Sequence, residues 1–358
     1  MDQNLYVVIM AGGIGTRFWP YSRNAKPKQF LDVLNSGKTL VQSTYERYLP
    51  LCPPENILIV THEEHSDLVR EQLPMVKPDQ IILEPMRKNT ATCIAYAANR
   101  IFARNPEAVM IASPSDHLIL NEKEFLTTLQ KAADQARAQD KLITLGITPT
   151  RPETGYGYIQ FLEGKSSLKK VKTFTEKPAL ALAKTFIESG DFVWNSGIFV
   201  WGVRAILKSF GQYLPELAEA FEEIRPSFFT PDERALVAQV YAQTKNISID
   251  YGVMEKADNV YVALGNFTWS DLGSWASLHE ASARNADNNM INGQALTYDT
   301  RNSLILGPPD KLVVTQGLNG YLVGVFDNVV IICEKDKEDM FRRYVNDLKA
   351  RPDGTNYL

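Results

Sequence analysis

In the stretch Leu5-Tyr-Val-Val-Ile-Met10-Ala-Gly-Gly-Ile-Gly-Thr-Arg17, an apolar run leads directly into a glycine-rich loop. The apolar run is typical of a buried strand. Three glycines within four positions remove the side chains that keep a backbone away from a ligand. The backbone N–H groups of such a loop can bind phosphate. The stretch therefore predicts the first strand of an α/β protein, with an anion-binding loop at its carboxyl end.

Short β-branched runs alternate with helical patterns up to about residue 147. Strands are predicted over Leu5–Met10, Ile57–Val60, Gln80–Leu83, Val109–Ser113 and Leu142–Ile147. Helices are predicted over Leu40–Leu49, His62–Leu73, Thr92–Arg104 and Glu122–Ala138. Two helix starts have capping-box spacing, Thr61 with Glu64 and Asn121 with Glu124. The alternation predicts a Rossmann-like, mostly parallel mixed sheet flanked by helices, which binds ligands at the carboxyl ends of its strands.

The texture of the sequence changes after about residue 285. Short β-rich runs are separated by turn residues and followed by a helix predicted over Lys337–Lys349. Each run is too short to bury much apolar surface alone, so stacked coils or packing on a partner are expected. We expect a catalytic domain over 1–285 and a small β-rich domain over 286–358, resembling a short left-handed β-helix.

Composition and charge limit the classes of partner. The 358 residues carry a net charge of −4, which disfavours a protein that wraps nucleic acid. Residues 3–31 contain four cations and no acid, which suits a small anionic ligand. Residues 85–106 also lack acids, but chance explains that run equally well. Three scattered cysteines, no signal peptide and no membrane-length apolar run favour a cytoplasmic protein that binds no membrane.

Two well-known phosphate-binding motifs do not match the loop. Its glycine spacing is not G-x-G-x-x-G, which disfavours an NAD-dependent oxidoreductase. Gly37-Lys-Thr39 is not a Walker motif, because Asp32 stands where its first glycine should be. A basic pair follows the loop instead, with Arg17 able to grip phosphate oxygens bidentately and Lys28 further along the chain.

The run from Gly12-Gly-Ile-Gly-Thr-Arg17 through Trp19-Pro-Tyr-Ser-Arg23 to Pro27-Lys-Gln-Phe30 resembles the signature of mannose-1-phosphate guanylyltransferases. Further segments are similar to motifs of that family and occur in the same order along nearly the whole chain. They are Glu84-Pro-Met-Arg-Lys-Asn-Thr-Ala91, Ser115-Asp-His117, Gly155-Tyr-Gly-Tyr-Ile159, Phe174-Thr-Glu-Lys-Pro178, Trp194-Asn-Ser-Gly-Ile-Phe199, Ser248–Lys256 and Trp269–Trp275.

The resemblance implies a role for each candidate residue. The implied nucleotide-binding residues are Ala11, Gly12, Gly13, Gly15, Thr16, Arg17, Glu84, Arg87, Asn89 and Thr90. The implied sugar-phosphate residues are Gly157, Glu176, Lys177 and Asn195. Asp116 and Asp271 would hold Mg²⁺ or another divalent cation. The implied catalytic residues are Arg17, Lys28, Asp116 and Lys177.

The implied reaction is transfer of GMP from GTP to mannose 1-phosphate, which gives GDP-mannose and pyrophosphate. A phosphate monoester is mostly dianionic at pH 7, because its second pKa is about 6, so it needs no general base. The sequence carries neither G-x-S-x-G nor a reactive-cysteine motif, as expected for attack without a covalent intermediate. The family also implies a homodimer.

Other interpretations stay open. Asp116 could cap a turn, Asp271 could be the N-cap of a helix beginning near Leu272, and Lys177 could be a solvated surface residue. The chain could use another nucleotide or another sugar 1-phosphate. It could also be a catalytically silent sensor of sugar nucleotides, although such a protein should have lost Lys28, Asp116 or Lys177.

Overall fold

Continuous apolar runs become the inner strands of one large sheet, because a strand covered by helices on both faces is buried all along its length. The computed structural model describes residues 1–358, apart from the side chains of Glu338 and Asp339. The chain divides into two compact units. Unit 1 comprises residues 1–12, 44–115 and 119–269, and unit 2 comprises residues 13–43, 116–118 and 270–358.

The large sheet lies within unit 1 and has the order β3-β2-β1-β4-β9-β6-β10-β8-β7. Its strands are β1 (Leu5–Met10), β2 (Ile57–His62), β3 (Ile81–Glu84), β4 (Val109–Pro114), β6 (Leu142–Ile147), β7 (Tyr158–Phe161), β8 (Leu168–Thr175), β9 (Phe192–Gly202) and β10 (Val260–Leu264). Strands β1 to β4 are parallel neighbours, and β6 pairs in parallel with β10. Strands β8 and β9 run in the opposite direction. The predicted mixed, mostly parallel sheet is therefore confirmed.

Helices connect the strands and cover the sheet. They are α1 (Leu40–Tyr48), α2 (Ser66–Gln72), α3 (Asn89–Arg104), α4 (Glu122–Ala138), α5 (Leu180–Ser189), α6 (Val203–Tyr213), α7 (Pro215–Ile224) and α8 (Glu233–Gln243). A π-helical turn over Asp250–Met254 precedes β10. One core cluster packs α3, α6, α7 and α8 against β1, β2 and β4. This packing fixes the carboxyl ends of β1 and β3, where the glycine-rich loop and Glu84 follow.

Unit 2 carries the β-rich carboxyl-terminal region. Its remaining elements are α9 (Trp275–Ala281), β12 (Met290–Asn292), β13 (Gln294–Tyr298), β14 (Leu304–Leu306), β15 (Leu312–Gln316), β16 (Tyr321–Val325), β17 (Val330–Glu334) and α10 (Glu338–Lys349). Strands β12, β14 and β16 stack in parallel, as do β13 and β15, while β17 is antiparallel to β16. The predicted stacked coils are present, and their left-handed sense stays a prediction. Two short strands, β5 (Leu118–Leu120) and β11 (Thr268–Ser270), pair separately.

The core of unit 2 joins residues from distant parts of the chain. The rings of Phe18 and Trp275 have centroids 4.9 Å apart, and the Trp19 indole donates a hydrogen bond to the backbone oxygen of Tyr357 at 2.7 Å. Phe341 of α10 belongs to the same cluster. The glycine-rich loop therefore rests on a core supplied by the carboxyl-terminal region. The domain boundary near residue 285 stays a prediction, because a compact unit need not coincide with a domain.

Neither predicted capping box forms, although Asn121 is the N-cap residue of α4, which begins at Glu122 as predicted. The Thr61 hydroxyl donates to the backbone oxygen of Ala11 at 3.0 Å, so a sheet neighbour uses the group that would cap a helix. Asn121 has a left-handed backbone (φ 60°) and makes no side-chain cap; its backbone oxygen accepts from the N–H of Glu124.

No helix in the described residues is long and apolar enough to cross a membrane.

Candidate active site

Gly15 gives the glycine-rich loop its shape. Its φ of +67° lies in the left-handed region, where a side chain costs about 1–2 kcal/mol. A Cβ atom at this position would lie 2.8 Å from the Cβ of Lys28 and 3.1 Å from the Ser22 hydroxyl. A glycine is therefore required here for both backbone and steric reasons, and it lets Lys28 pack directly against the loop.

Two side chains hold the carbonyl groups of the loop. The Gln29 amide donates to the backbone oxygen of Gly13 at 2.9 Å, and the Ser22 hydroxyl donates to that of Ile14 at 2.6 Å. In a trans peptide the N–H points away from the carbonyl. The N–H groups of Ile14 and Gly15 are thus directed away from these two side chains, as a phosphate-binding loop requires.

Lys28 is a buried cation of unit 2, with only 3% of its side chain exposed. Its ammonium lies 2.8 Å from the Asp116 carboxylate and donates to the backbone oxygen of Asp271 at 2.7 Å. The same ammonium lies 5.3 Å from the centroid of the Phe18 ring, within cation–π range. The structure thus brings together three predicted residues that are far apart in the sequence.

The pKa of Asp116 reflects two opposing effects. Burial alone would raise the pKa of this carboxyl, but the positive charge of Lys28, helped by His117, holds it below its usual value. About 31% of the side chain stays exposed. Asp116 is therefore a charged carboxylate at neutral pH with a face open to a further ligand.

Asp271 lies in a tight turn and is not a helix cap. Its carboxylate accepts from the N–H of Gly273 at 2.8 Å, while Ser274 caps α9 in a capping box with Ser277. Mg²⁺ commonly binds one or two carboxylates together with phosphate oxygens and water. Lys28 links the Asp116 carboxylate to the backbone of Asp271, and the two carboxylates are of the chemical type that this donor set requires. No group of three or more such ligands occurs among the described residues.

Thr16 and Arg17 stand at the outer edge of the loop. They begin a short 3-10 turn over Thr16–Phe18, in which Thr16 is exposed and Arg17 is half-buried. Among the residues whose side chains are described, no carboxylate pairs with Arg17.

Glu84 is a buried carboxyl at the end of β3, with 6% of the residue exposed. The Tyr241 hydroxyl donates to one of its oxygens at 2.9 Å. The other oxygen lies 3.0 Å from where a Cβ on Gly12 would stand. Burial raises the pKa of Glu84 to about 7, although the Tyr241 hydrogen bond and Arg87 oppose the rise. Glu84, a member of the predicted nucleoside segment, thus also packs against Gly12.

The rest of the predicted nucleoside segment surrounds the start of α3. Arg87 is exposed and forms an ion pair with Glu64 at 3.2 Å. Asn89 has a left-handed backbone (φ 64°), and its side-chain oxygen accepts from the N–H of Thr90. The Thr90 hydroxyl accepts from the N–H of Ile249 at 2.9 Å. Ala11 is fully buried, and its N–H donates to β2, so it anchors the loop to the sheet.

The predicted sugar residues also come together in unit 1. A Cβ on Gly157 would lie 2.5 Å from a Glu176 oxygen and 3.3 Å from the Cβ of Asn195. The N–H of Asn195 donates to the backbone oxygen of Gly157 at 2.8 Å. Lys177 has a positive φ of 48° and an ammonium paired with Glu176, and about half of its side chain is exposed.

Comparison with known proteins gives the family. A family model described as nucleotidyl transferase matches residues 6–288. The chain belongs to the nucleotidyl transferase family. It is 36% identical over 364 residues to a mannose-1-phosphate guanylyltransferase of Escherichia coli K12, covering 98% of this chain and 74% of that protein. It is 38% identical over 331 residues to one of Sinorhizobium fredii, covering 90% and 64% respectively.

A solved structure supports the same assignment. A crystal structure from Thermus thermophilus, described as a mannose-1-phosphate geranyltransferase, matches with a TM-score of 0.87 and 32% identity. The match covers 97% of this chain and 100% of that one. This nucleotidyl transferase therefore has the nucleotide-diphospho-sugar transferase fold with a β-rich carboxyl-terminal region, as the sequence predicted.

Three polar residues of this nucleotidyl transferase were not assigned a role from the sequence. Thr144 and Asp250 contact Asn195, and Tyr241 contacts Glu84. Asp250 lies inside the quoted motif Ser248–Lys256, which was the only sequence signal for it. Tyr241 and Thr144 sit in ordinary helix and strand patterns that carry no such signal.

Proposed function

We propose that the chain transfers GMP from GTP to α-D-mannose 1-phosphate, releasing pyrophosphate and forming GDP-mannose for biosynthesis. The observation that carries the proposal is the glycine-rich loop of unit 2, with Lys28 buried against it and joined to Asp116 and Asp271. The relatives named as mannose-1-phosphate guanylyltransferases point to the guanine nucleotide and to the mannose phosphate.

The proposed chemistry is a single in-line displacement. An oxygen of the sugar phosphate attacks the α-phosphorus of GTP, and the bond from that phosphorus to the oxygen bridging the β-phosphate breaks as pyrophosphate leaves. The attacking group is already a dianion near pH 7, so no proton is transferred. The catalytic task is to hold two polyanions in line and to neutralise their charge.

The glycine-rich loop and its charged neighbours supply the charge compensation in this proposal. The loop at Gly13 and Gly15, through the N–H groups of Ile14 and Gly15, binds the β- and γ-phosphates together with Thr16 and Arg17. Lys28 stabilises negative charge near the α-phosphate. Asp116 and Asp271 would hold Mg²⁺ or another divalent cation, which when bound neutralises phosphate oxygens.

The remaining candidate residues supply recognition in this proposal. Ala11 and Gly12 anchor the start of the loop. The proposed nucleoside contacts come from the segment Glu84, Arg87, Asn89 and Thr90. Glu176 and Asn195 bind sugar hydroxyls beside Gly157, and Lys177 binds the sugar phosphate.

The test is pyrophosphate release with Mg²⁺ and mannose 1-phosphate, run in parallel with GTP, UTP and dTTP. We expect release that requires GTP, the sugar phosphate and the metal together. Equal turnover with UTP or dTTP would reject the guanine preference, and release only with a different sugar 1-phosphate would reject mannose. Binding of GDP-mannose by folded protein without any turnover would favour the silent sensor.

A matched pair of variants links the activity to the site. Lys28→Met should lose most turnover, whereas Lys26→Met changes an exposed lysine two residues away and should keep it. The single displacement predicts inverted configuration at the α-phosphorus when a chiral thiophosphate analogue of GTP is used. Retained configuration would instead require a covalent enzyme intermediate.

A cytoplasmic homodimer remains part of the proposal. Support for self-association comes from β13 and β15, whose outer face exposes Leu296, Tyr298, Leu312 and Val314. Exposed apolar patches of this kind commonly mark interfaces. Sedimentation equilibrium tests it: a dimer that Val314→Asp weakens supports this face, and a monomer at all concentrations rejects it.

A further inference from the structure

The side chain of Asn195 is held in one orientation by its neighbours. Its amide oxygen accepts from the Thr144 hydroxyl at 2.9 Å and from the N–H of Gly197 at 3.2 Å. Its amide nitrogen donates to one oxygen of Asp250 at 2.8 Å. The amide oxygen faces two donors and the amide nitrogen faces a carboxylate, so the reversed orientation of the amide would lose all three hydrogen bonds.

Asp250 is placed by a turn that is itself fixed. It is the first residue of the π-helical turn Asp250–Met254, and irregular turns of this kind are frequent at functional sites. The preceding N–H, that of Ile249, donates to Thr90 at the start of α3. Asp250 is therefore anchored both to the nucleoside segment and to Asn195.

The second oxygen of Asp250 is the part of this cluster that the mechanism has not used. Among the described residues, Asn195 is the side chain that hydrogen-bonds Asp250. Gly157, Glu176 and Asn195 adjoin one another, and Asp250 extends that group by one further carboxylate. An ionised carboxylate only accepts hydrogen bonds, and a pyranose presents several hydroxyl donors.

Building on the proposed function, we infer that Asp250 is a specificity-determining residue that accepts a hydrogen bond from one ring hydroxyl of the sugar phosphate through the oxygen that Asn195 does not use. Asn195 then presents the amide nitrogen in a fixed direction beside it. Asp250 and Asn195 would then discriminate between sugars by the positions of neighbouring hydroxyl groups, while Lys177 and Glu176 bind the same substrate.

Two substitutions separate direct contact from a purely structural role. Asp250→Asn can keep an oxygen facing the Asn195 amide, which leaves an NH₂ group where the sugar's acceptor was. Asp250→Ala removes both interactions. The matched control is Asp258→Asn, an exposed aspartate eight residues further along.

The first readout compares the effect of each variant on KM for mannose 1-phosphate with its effect on KM for GTP. Hydrogen bonds to charged groups are strong, so both Asp250 variants should raise KM for mannose 1-phosphate by about tenfold to a hundredfold. KM for GTP should change by less than about twofold, which also shows that the variants are folded. Direct titration of mannose 1-phosphate into the protein gives the same comparison without turnover.

The second readout uses 2-, 3- and 4-deoxy analogues of mannose 1-phosphate as probes. The wild-type protein should discriminate against the analogue that lacks the contacted hydroxyl, and Asp250→Ala should lose that discrimination while keeping it for the other two. The analogue and the Asp250→Ala variant each remove the same hydrogen bond. Once the variant has removed it, loss of the sugar hydroxyl should weaken binding no further.

Different failures are distinguishable. If Asp250→Asn matches Asp258→Asn in KM and in all three deoxy comparisons, the inference about Asp250 is wrong while the proposed function stands. If the variants raise both Michaelis constants equally, Asp250 is structural and the inference is also wrong. If the wild-type protein neither turns over nor binds mannose 1-phosphate, both proposals fall together.

Discussion

Replacing Glu84 by glutamine should make the protein more stable at neutral and alkaline pH. Glu84 has 6% of its surface exposed, and burial raises its pKa to about 7 from an ordinary 4.5. Glutamine has the same shape and can still accept the Tyr241 hydrogen bond seen at 2.9 Å. The substitution therefore removes the ionisation and little else.

The size and the sign of this difference in stability follow from the linkage between proton binding and folding. A folded state with the higher pKa binds the proton more tightly, so this group favours folding fully below pH 4.5 and loses that contribution as the pH rises through 7. Each pKa unit corresponds to about 1.4 kcal/mol. The rise from 4.5 to about 7 therefore makes the free energy of unfolding of the wild-type protein fall, relative to Glu84→Gln, by about 3 kcal/mol.

The assay is urea denaturation of both proteins at half-unit steps from pH 4.5 to 8, with the difference in free energy of unfolding plotted against pH. Other groups titrate in both proteins and cancel in that difference. Glu71→Gln, at an exposed position of α2, makes the same chemical change in contact with water and is the control. A difference that is flat across this range, or no larger than that of the control, would refute the reasoning.

Three further predictions concern substitutions of Lys28, Gly15 and Gly157. Lys28→Met leaves the Asp116 carboxylate without its cation and should lower the free energy of unfolding by about 1–3 kcal/mol. The second substitution Asp116→Asn should recover part of that loss. Strictly additive losses of the two substitutions in chemical denaturation would contradict this coupling. Gly15→Ala should lower the free energy of unfolding by about 1–2 kcal/mol, because φ is +67° and the methyl group would meet Lys28; an unchanged urea midpoint would reject it. Gly157→Ala should raise KM for mannose 1-phosphate about tenfold or more, because its methyl group would displace Glu176, and steady-state kinetics with an unaltered KM would show that Gly157 is only a strand residue.

The amino-terminal half of the sheet could be predicted from the sequence because its strands are buried on both faces. Strands β1 and β6 begin and end at the predicted residues, since every residue of β6 and all but the last residue of β1 is buried. Strand β9 was recognised only as a motif around Trp194. Its polar residues, Asn195 and Ser196, interrupt the apolar run although the strand lies in the middle of the sheet.

The candidate site could be predicted as a list of residues but not as a set of contacts. The glycine pattern and the Lys28 segment are local signals. The partnership of Asn195 with Asp250, and of Glu84 with Tyr241, joins residues 55 and 157 positions apart, and no spacing rule reaches that far. The capping prediction at Thr61 failed for the same reason, because its hydroxyl donates to a neighbour that only the folded sheet provides. The one at Asn121 failed because its backbone is left-handed and its side chain makes no cap.

The shared core of unit 2 limits how proteins of this type can be recombined. Phe18 and Trp19 of the loop segment pack with Trp275 and Tyr357, so the loop and the carboxyl-terminal region form one structural module despite their separation in the gene. A chimera with a single crossover near residue 285 would keep Phe18, Trp19 and Trp275 from one parent but take Tyr357 and the rest of this core from the other. Exchange of residues 13–43 together with residues 270–358 would keep these contacts, which makes this three-crossover design the one expected to yield active hybrids.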